Sequence, residues 1–383
     1  MTALMKEKDF GGISRVYLLL GPACNMACRH CTQTPVKSAP YRYGDVANSV
    51  WGLLDNYVSY VIRGTESRRI LFWGGEPLLH WDLLRDVVVR YTERYNLLSL
   101  PGVPGLVFGL TTNGLLLDDE KVDFFNRYRV RVALSYDAPY PFAVRGCVPE
   151  SVCVTARRLK YFGTISSFNA LNHDFYLALR CLDKKFPNVY HRLNLGLMET
   201  FDMPKDIFGY DLGKVRDSMR KLRIAAQMGN REAAFVLKGL VSALERPNTN
   251  GVFAENGVKG CFSGAGNIAV RLDGTVVSCH NSAETVGSLD DSREYIYGRS
   301  LAMYRGRANR GCATCPHTDI CRGKCSFSAC DADGVYRTCK RFWIPFYSFV
   351  KEELPLLAEP LSEVDAEWFA EQYRKDFGVV EAF

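Results

Sequence analysis

Three cysteines stand close together near the start of the chain: Cys24, Cys28 and Cys31, within the stretch GPACNMACRHC from Gly21 to Cys31. Their C-x3-C-x2-C spacing follows directly on the apolar run Val16 to Leu20. A loop leaving a strand is free to wrap around an object, and three thiolates at this spacing suit one face of a four-iron cluster. A [4Fe–4S] cluster normally takes four protein ligands, so three leave one iron open to another molecule. The competing readings are a zinc site and three unrelated thiols. Further polar and glycine-rich stretches follow: Gly74-Gly75-Glu76-Pro77, Thr112-Asn113-Gly114 and Ser135-Tyr136-Asp137, with Arg145 ten residues after Ser135. Glycine lets backbone approach a ligand closely, Glu76 offers a carboxylate and Pro77 sets the direction of exit. Thr112 and Asn113 either line a site or form a turn, since asparagine tolerates the left-handed region.

A second cysteine field occupies the last third of the chain. Cys261 and Cys279 are followed by Cys312-x2-Cys315-x5-Cys321-x3-Cys325, then Cys330 and Cys339. Of 14 cysteines, eight lie in this field and three in the first loop. That leaves Cys147, Cys153 and Cys181, which are expected to be buried packing residues. Such clustering argues for metal rather than disulfides.

The elements that must position these groups are legible as alternating strands and helices. Strands are predicted at Ser14–Leu20, Arg69–Trp73, Leu106–Thr111, Val130–Ser135, Ile165–Leu171 and Tyr190–Met198. Helices are predicted at Asp45–Ile62, Leu83–Tyr95, Asp118–Tyr128 and Asp174–Phe186, with Lys214–Leu244 largely helical. This alternation implies a parallel sheet with helices outside it, closing as a partial (β/α)6 barrel. In such barrels functional groups gather at the carboxyl ends of strands. The cysteine loop, GGEP, TNG and SYD all fall there. Asn267 to Val277 reads as a hairpin turning at Asp273-Gly274 that carries Cys279 and His280. The tail begins with the aromatic run RFWIPFYSF, expected to pack on the barrel, and ends in a helix from Glu363 to Phe377 with Ser362 as N-cap.

The 383 residues, 47% hydrophobic, suffice for a large domain and a smaller one. A net charge of +6 with both signs mixed falls short of a nucleic-acid footprint. No run approaches a membrane span and the charged start MTALMKEKDF lacks a signal-peptide core, so a cytoplasmic protein is expected.

The cysteine triplet with His30 before its third member, together with WGGEPLL one β/α unit later, resembles the radical S-adenosylmethionine (radical SAM) superfamily. The resemblance implies that Cys24, Cys28 and Cys31 hold a [4Fe–4S] cluster whose open iron binds the amino and carboxylate groups of S-adenosylmethionine. His30, Gly74, Gly75, Glu76, Pro77, Asn113, Ser135 and Arg145 would then line the cofactor site, with Ser135 touching the cofactor and Arg145 either facing its carboxylate or lying exposed at the surface. The later cysteines resemble the SPASM extension, which carries two auxiliary [4Fe–4S] clusters. By that pattern Cys312, Cys315, Cys321 and Cys339 ligate the distal cluster, and Cys261, Cys279 and Cys325 the nearer one, three clusters in all. The nearer set is one ligand short, and the position some relatives fill with cysteine is Asn267. Cys330 is unallotted: it completes that shell, donates a hydrogen atom to a substrate radical, or packs.

The implied layout is a barrel over 1–245, a SPASM domain over 246–345 and a helical tail over 346–383. The implied function is modification of a peptide in ribosomal peptide maturation, as a carbon–carbon, thioether or ether crosslink or as epimerisation. The partners would be that peptide and a low-potential flavodoxin- or ferredoxin-type donor, with neither nucleic acid nor membrane. A sulfatase-maturing enzyme is the first rival, and His280 counts against it, because those relatives carry an aspartate base after the equivalent cysteine. His280 is either an acid/base group or a hydrogen-bonding neighbour of a cluster. The second rival is a non-catalytic metal-bearing binding protein.

Overall fold

A computed structural model describes residues 10–33, 46–98, 105–141, 145–167, 169, 171, 174–194, 209–245, 263–306, 315–317 and 343–377. Six strands, β1 (Arg15–Gly21), β2 (Arg68–Gly74), β3 (Leu106–Thr112), β4 (Arg131–Ser135), β5 (Phe162–Ser167) and β6 (Tyr190–Asn194), lie side by side in sequence order, every pair parallel. The order never reverses, so right-handed crossovers place every connecting helix on the same face. The other face turns inward, which makes this set a partial (β/α)6 barrel rather than a doubly wound sheet.

The pleat sorts the strand residues between those two faces. Val16, Leu18 and Leu20 of β1, Ile70 and Phe72 of β2, and Val132 and Leu134 of β4 join one helix-side core. Their neighbours Tyr17 and Leu19 point the other way and pack with Ala269, Val277, Leu71 and Trp73. Helix α1 (Asn48–Arg63) covers the helix-side core with Val50, Leu53, Leu54, Tyr57, Val58 and Val61, an i, i+3, i+4 stripe. Helices α2 (Trp81–Arg94), α3 (Asp119–Arg127), α4 (Glu150–Ala156) and α5 (Phe175–Lys185) follow in the remaining crossovers. Asp118 and Asp174 cap α3 and α5 by accepting from the backbone N–H groups of Lys121 and Leu177, each at 2.9 Å.

The structure moves two boundaries. β5 begins at Phe162 and ends at Ser167, earlier than the predicted Ile165–Leu171, because Phe162 packs on Phe186 and Thr164 hydrogen-bonds buried His191. The helical stretch after 211 is two helices, α6 (Leu212–Gln227) and α7 (Arg231–Glu245), broken at Gly229 with φ +90°. Helix α4 had no sequence expectation. Of the three leftover cysteines, Cys153 is buried and Cys181 half-buried, but Cys147 is exposed.

The hairpin turning at Asp273-Gly274 forms as expected, from β7 (Asn267–Arg271) and β8 (Thr275–Val277), with β9 (Thr285–Ser288) beyond it. Its location is unforeseen: β7 pairs parallel to β1, extending the barrel sheet in the order β6-β5-β4-β3-β2-β1-β7-β8-β9. Helix α8 (Arg293–Gly306) follows. The aromatic run enters α9 (Ile344–Glu353), whose Phe346 and Val350 pack with Phe175, Met219 and Leu222 of the barrel helices. The last helix, α10 (Glu363–Phe377), is capped by Ser362, whose hydroxyl accepts from the Asp365 N–H at 3.1 Å. Arg223 of α6 ties both tail helices down by donating to Glu353 at 3.0 Å and Asp365 at 3.2 Å. Among the described residues no helix is long and apolar enough to cross a membrane.

Candidate functional site

The cysteine loop leaves β1 at Gly21 and is zipped to the loop leaving β2. The Gly75 N–H donates to the Gly21 carbonyl and the Glu76 N–H to the Ala23 carbonyl, both at 2.8 Å. A Cβ on Gly75 would lie 2.1 Å from the Ala23 oxygen and 2.4 Å from the Pro22 oxygen, so only glycine lets the two loops touch. Gly74, at φ +147°, stands equally close to the Gly21 carbonyl. The glycines read as a cradle for a ligand thus seat the cysteine loop itself. Gly75→Ala is expected to force the loops apart and cost about 1–3 kcal/mol, with iron content falling alongside thermal stability. Gly298→Ala, on open α8 surface with nothing within 4 Å, is the control and is expected to stabilise by about 0.5–1 kcal/mol.

Glu76 closes the next link. Its carboxylate is buried, accepting from the Leu78 N–H at 3.0 Å, the Thr112 hydroxyl at 2.8 Å and the Asn113 N–H at 2.8 Å. Burial pushes its pKa up, against those hydrogen bonds. Pro77 opens a short 3-10 turn behind it. Asn113 reaches back to the cysteine loop, donating from Nδ2 to the Asn25 side chain at 2.7 Å and lying 3.9 Å from Cys24 Sγ. The ends of β1, β2 and β3 are therefore one hydrogen-bonded unit around the first cysteine.

The end of β4 supplies the other side. Asp137 is wholly buried and accepts from the Ser167 N–H at the end of β5, at 2.6 Å. Its second oxygen pairs with Arg145 Nε and lies 3.1 Å from His30 Nε2. Arg145 in turn places Nη1 3.7 Å from Cys28 Sγ and Nη2 3.4 Å from His30 Nε2. Burial alone would raise the Asp137 pKa, but the Arg145 charge, His30 and the Ser167 N–H hold it below the usual carboxylate range. Burial works against the Arg145 charge, and Asp137 more than offsets it, so the guanidinium stays protonated. Burial likewise raises the Cys28 thiol, partly opposed by Arg145, with Cys31, Asp137 and Cys24 adding to the rise. Ser135 ends β4 half-buried on the inner face.

His280 comes from far along the chain. The β1–β7 pairing brings it over the barrel's inner face, stacked on Tyr17 with centroids 4.2 Å apart and planes 10° apart, and edge-on to Trp73 at 4.7 Å. Gln33, just past the cysteine loop, donates to the His280 carbonyl at 3.2 Å and to the Asn281 side chain. Trp73 Nε1 also donates to that side chain, at 3.2 Å. Cys279, buried beside His280, accepts from the Asn281 N–H at 3.5 Å. Cys315 is half-buried. Cys261, Cys312, Cys321, Cys325, Cys330 and Cys339 lie outside the described residues.

The structure thus brings together Cys24, Cys28, Cys31, His30, Glu76, Asn113 and Arg145, with Gly74 and Gly75 as the seam. Sequence reasoning placed Asp137 only within a strand-end cluster and missed Gln33, Trp73, Tyr17 and Asn281. The SYD triplet at a strand's carboxyl end was the one available signal. In its chemistry the donor set fits an iron–sulfur cluster: three thiols on one loop, with the Arg145 guanidinium beside Cys28 opposing the effect of burial on that thiol. Buried His30 Nδ1 has no partner among the described residues, an orphan atom that suits a ligand-bearing mouth.

Comparison with known proteins agrees with this geometry. The family model described as the radical SAM superfamily matches residues 18–209, half of the chain, from β1 to just before α6. The radical SAM cyclopropyl synthase TigE of Paramaledivibacter caminithermalis is 20% identical over 333 residues, covering 82% of this chain and 68% of that protein. Native anSMEcpe with bound AdoMet matches with a TM-score of 0.65 at 16% identity, over 90% of this chain and 98% of that one. Streptococcus suis SuiB bound to precursor peptide SuiA matches with a TM-score of 0.53 at 14% identity, over 82% of this chain and 72% of that one. These structures share the fold. With the cysteine triplet and its interlocked loops inside the matched span, the chain is an enzyme of the radical SAM superfamily, a family that works with S-adenosylmethionine and a [4Fe–4S] cluster.

Proposed function

We propose that this enzyme abstracts a hydrogen atom from a peptide and so begins a crosslink or an epimerisation in peptide maturation. The observation that carries this reading is the placement of His280, Trp73 and Tyr17 on the inner face beside the cysteine loop, where a substrate side chain would meet an aromatic wall and a titratable group. TigE is named for forming a cyclopropyl ring, and SuiB was crystallised with its precursor peptide. The SuiB complex favours a peptide, and the TigE name favours bond formation at carbon.

When bound, S-adenosylmethionine and the reduced cluster supply a 5′-deoxyadenosyl radical, which takes a hydrogen atom from an unactivated carbon. The protein's part is positional. Cys24, Cys28 and Cys31 would hold the cluster and leave one iron open. Ser135, at the end of β4, would touch the cofactor, and Arg145, ten residues later, would face its carboxylate. The Glu76–Thr112–Asn113 unit fixes the loop that carries the cysteines. His280, held over Tyr17 by the Gln33 and Asn281 contacts, is placed to move a proton to or from the substrate. Cys279 beside it belongs to the set Cys261, Cys279 and Cys325 for the nearer auxiliary cluster. Cys312, Cys315, Cys321 and Cys339 are the set for the distal one, fed by a low-potential ferredoxin- or flavodoxin-type donor.

The test is direct. Anaerobically reconstituted protein should carry about twelve iron per chain and form 5′-deoxyadenosine when reduced. A candidate precursor peptide, taken from a short reading frame beside the gene, should lose two hydrogens for a crosslink. It should instead gain one deuterium in heavy water for epimerisation. His280→Gln, which keeps size and removes the titration, is expected to lower peptide turnover about 100-fold while leaving peptide-free 5′-deoxyadenosine formation within about twofold. Zinc in place of iron, or no cleavage of the cofactor, would overturn the proposal.

A further inference from the structure

The inner face of the barrel carries, at its amino-terminal end, three arginines that the chemistry above does not use. Val16, Ile70 and Val132 point into the helix-side core, so by the pleat Arg15, Arg69 and Arg131, one residue before each, point into the barrel. Arg15 and Arg69 are direct register partners on β1 and β2. Arg131 stands across β3, where its register partner Gly109 pairs in turn with Leu71 of β2, so Arg131 lies one inward-facing position further along than Arg69. All three are exposed, and among the described residues none has a carboxylate partner. The charges feel one another: the Arg69 pKa is lowered by its partial burial and then by Arg15 and Arg131.

Like charges placed opposite each other on neighbouring strands destabilise a sheet. Among the described residues no carboxylate pairs with any of the three guanidinium groups to offset that cost. Further along the same inner face stand Leu71, Trp73, Ala133 and Ile165, each half-buried. At the carboxyl end of that face Trp73 meets His280, and Ser135 ends β4. From Arg69 to Trp73 is four strand residues, roughly 13 Å at about 3.3 Å each. Arginine, rather than lysine, matches a carboxylate with two parallel hydrogen bonds.

We infer that Arg15, Arg69 and Arg131 form an anion-binding floor that holds an aspartate or glutamate of the peptide substrate, about four extended residues from the residue being modified. This rests on the proposed peptide substrate and adds to it a substrate class: peptides with an acidic side chain at fixed spacing from the reacting position.

A fluorescein-labelled hexaglutamate peptide serves as the probe, titrated by anisotropy against the reconstituted protein at low and moderate salt. The triple variant Arg15→Gln/Arg69→Gln/Arg131→Gln is expected to weaken binding about tenfold or more. The charge-matched control Arg85→Gln/Arg157→Gln/Arg158→Gln, with Arg85 on α2 and the other two exposed in the turn after α4, is expected to change it less than about twofold. Equal weakening in both, or none in either, overturns the floor. The single variant Arg69→Gln adds a test that needs no ligand: relief of repulsion should raise its unfolding temperature at low ionic strength. An unchanged or lowered temperature means that the chain neutralises the cluster itself, and also overturns the floor. Peptide-free 5′-deoxyadenosine formation separates the two proposals. Wild-type protein that binds the probe through the floor but cleaves no cofactor defeats the function proposed above and leaves the floor standing. Wild-type protein that cleaves the cofactor while the triple variant binds the probe undiminished defeats the floor alone.

Discussion

Replacing Cys24, Cys28 and Cys31 together by alanine is expected to abolish 5′-deoxyadenosine formation, by about three orders of magnitude or more, and to remove about four iron per chain. The three thiols share one loop, tied to the barrel by backbone bonds to the β2 loop, by the Asn113–Asn25 contact and by the contacts of His30 and Cys28 with Asp137 and Arg145. None of the cysteines is buried in the packed core, so alanine should leave the barrel folded. Far-ultraviolet circular dichroism and the unfolding temperature of the metal-free proteins check that point. Cofactor cleavage that survives in a folded triple variant would defeat the assignment of the radical-forming site to this loop.

Asp137→Asn is expected to destabilise the protein by about 3–5 kcal/mol, because it leaves the Arg145 guanidinium buried without its counter-charge. The double variant Asp137→Leu/Arg145→Leu should cost less than that single change, since it buries no orphan charge. A thermal-unfolding series on the wild type and these two variants decides it, and a double variant worse than the single would show that the pair is not what holds β4 to the cysteine loop. The pH dependence has a definite sign. The folded-state pKa of Asp137 is depressed relative to the ordinary carboxylate. Its contribution is therefore present above the unfolded pKa, near 4, and is lost as pH falls through the lower folded value. Wild type should lose stability more steeply below about pH 4 than Asp137→Asn does. A cofactor-binding role for Arg145 depends on this pair, because Asp137 fixes the direction in which the guanidinium points.

The strands and helices of the barrel were readable because each strand is apolar on the helix side and each helix carries its stripe at helical spacing. Such patterns are local, and residues 14–135 are almost wholly predicted by them. The fifth strand shifted because its end is defined by partners elsewhere, Phe186 and His191. The nature of the chemistry was equally local. Cys24, Cys28 and Cys31 fall within one loop, and their number and spacing suit a cluster with an open corner, a reading that needed the WGGEPLL stretch one β/α unit later to set it apart from a zinc site.

What lay beyond the sequence was who answers whom across the barrel mouth. Glu76 reads as a ligand for a cofactor, yet it meets Thr112 and Asn113 from the next strand. Gly75 reads as room for a ligand, yet it makes room for Ala23. Arg145 reads as a free cation, yet Asp137 holds it against Cys28. His280 reads as the residue after a cysteine, yet parallel pairing of β7 with β1 stacks it on Tyr17, more than 250 positions earlier in the chain. Composition and spacing determine which groups exist and which element carries each. The order of strands in the sheet and the handedness of its crossovers alone decide which of those groups meet, since contacts between strand ends are set by neighbours in space rather than along the chain.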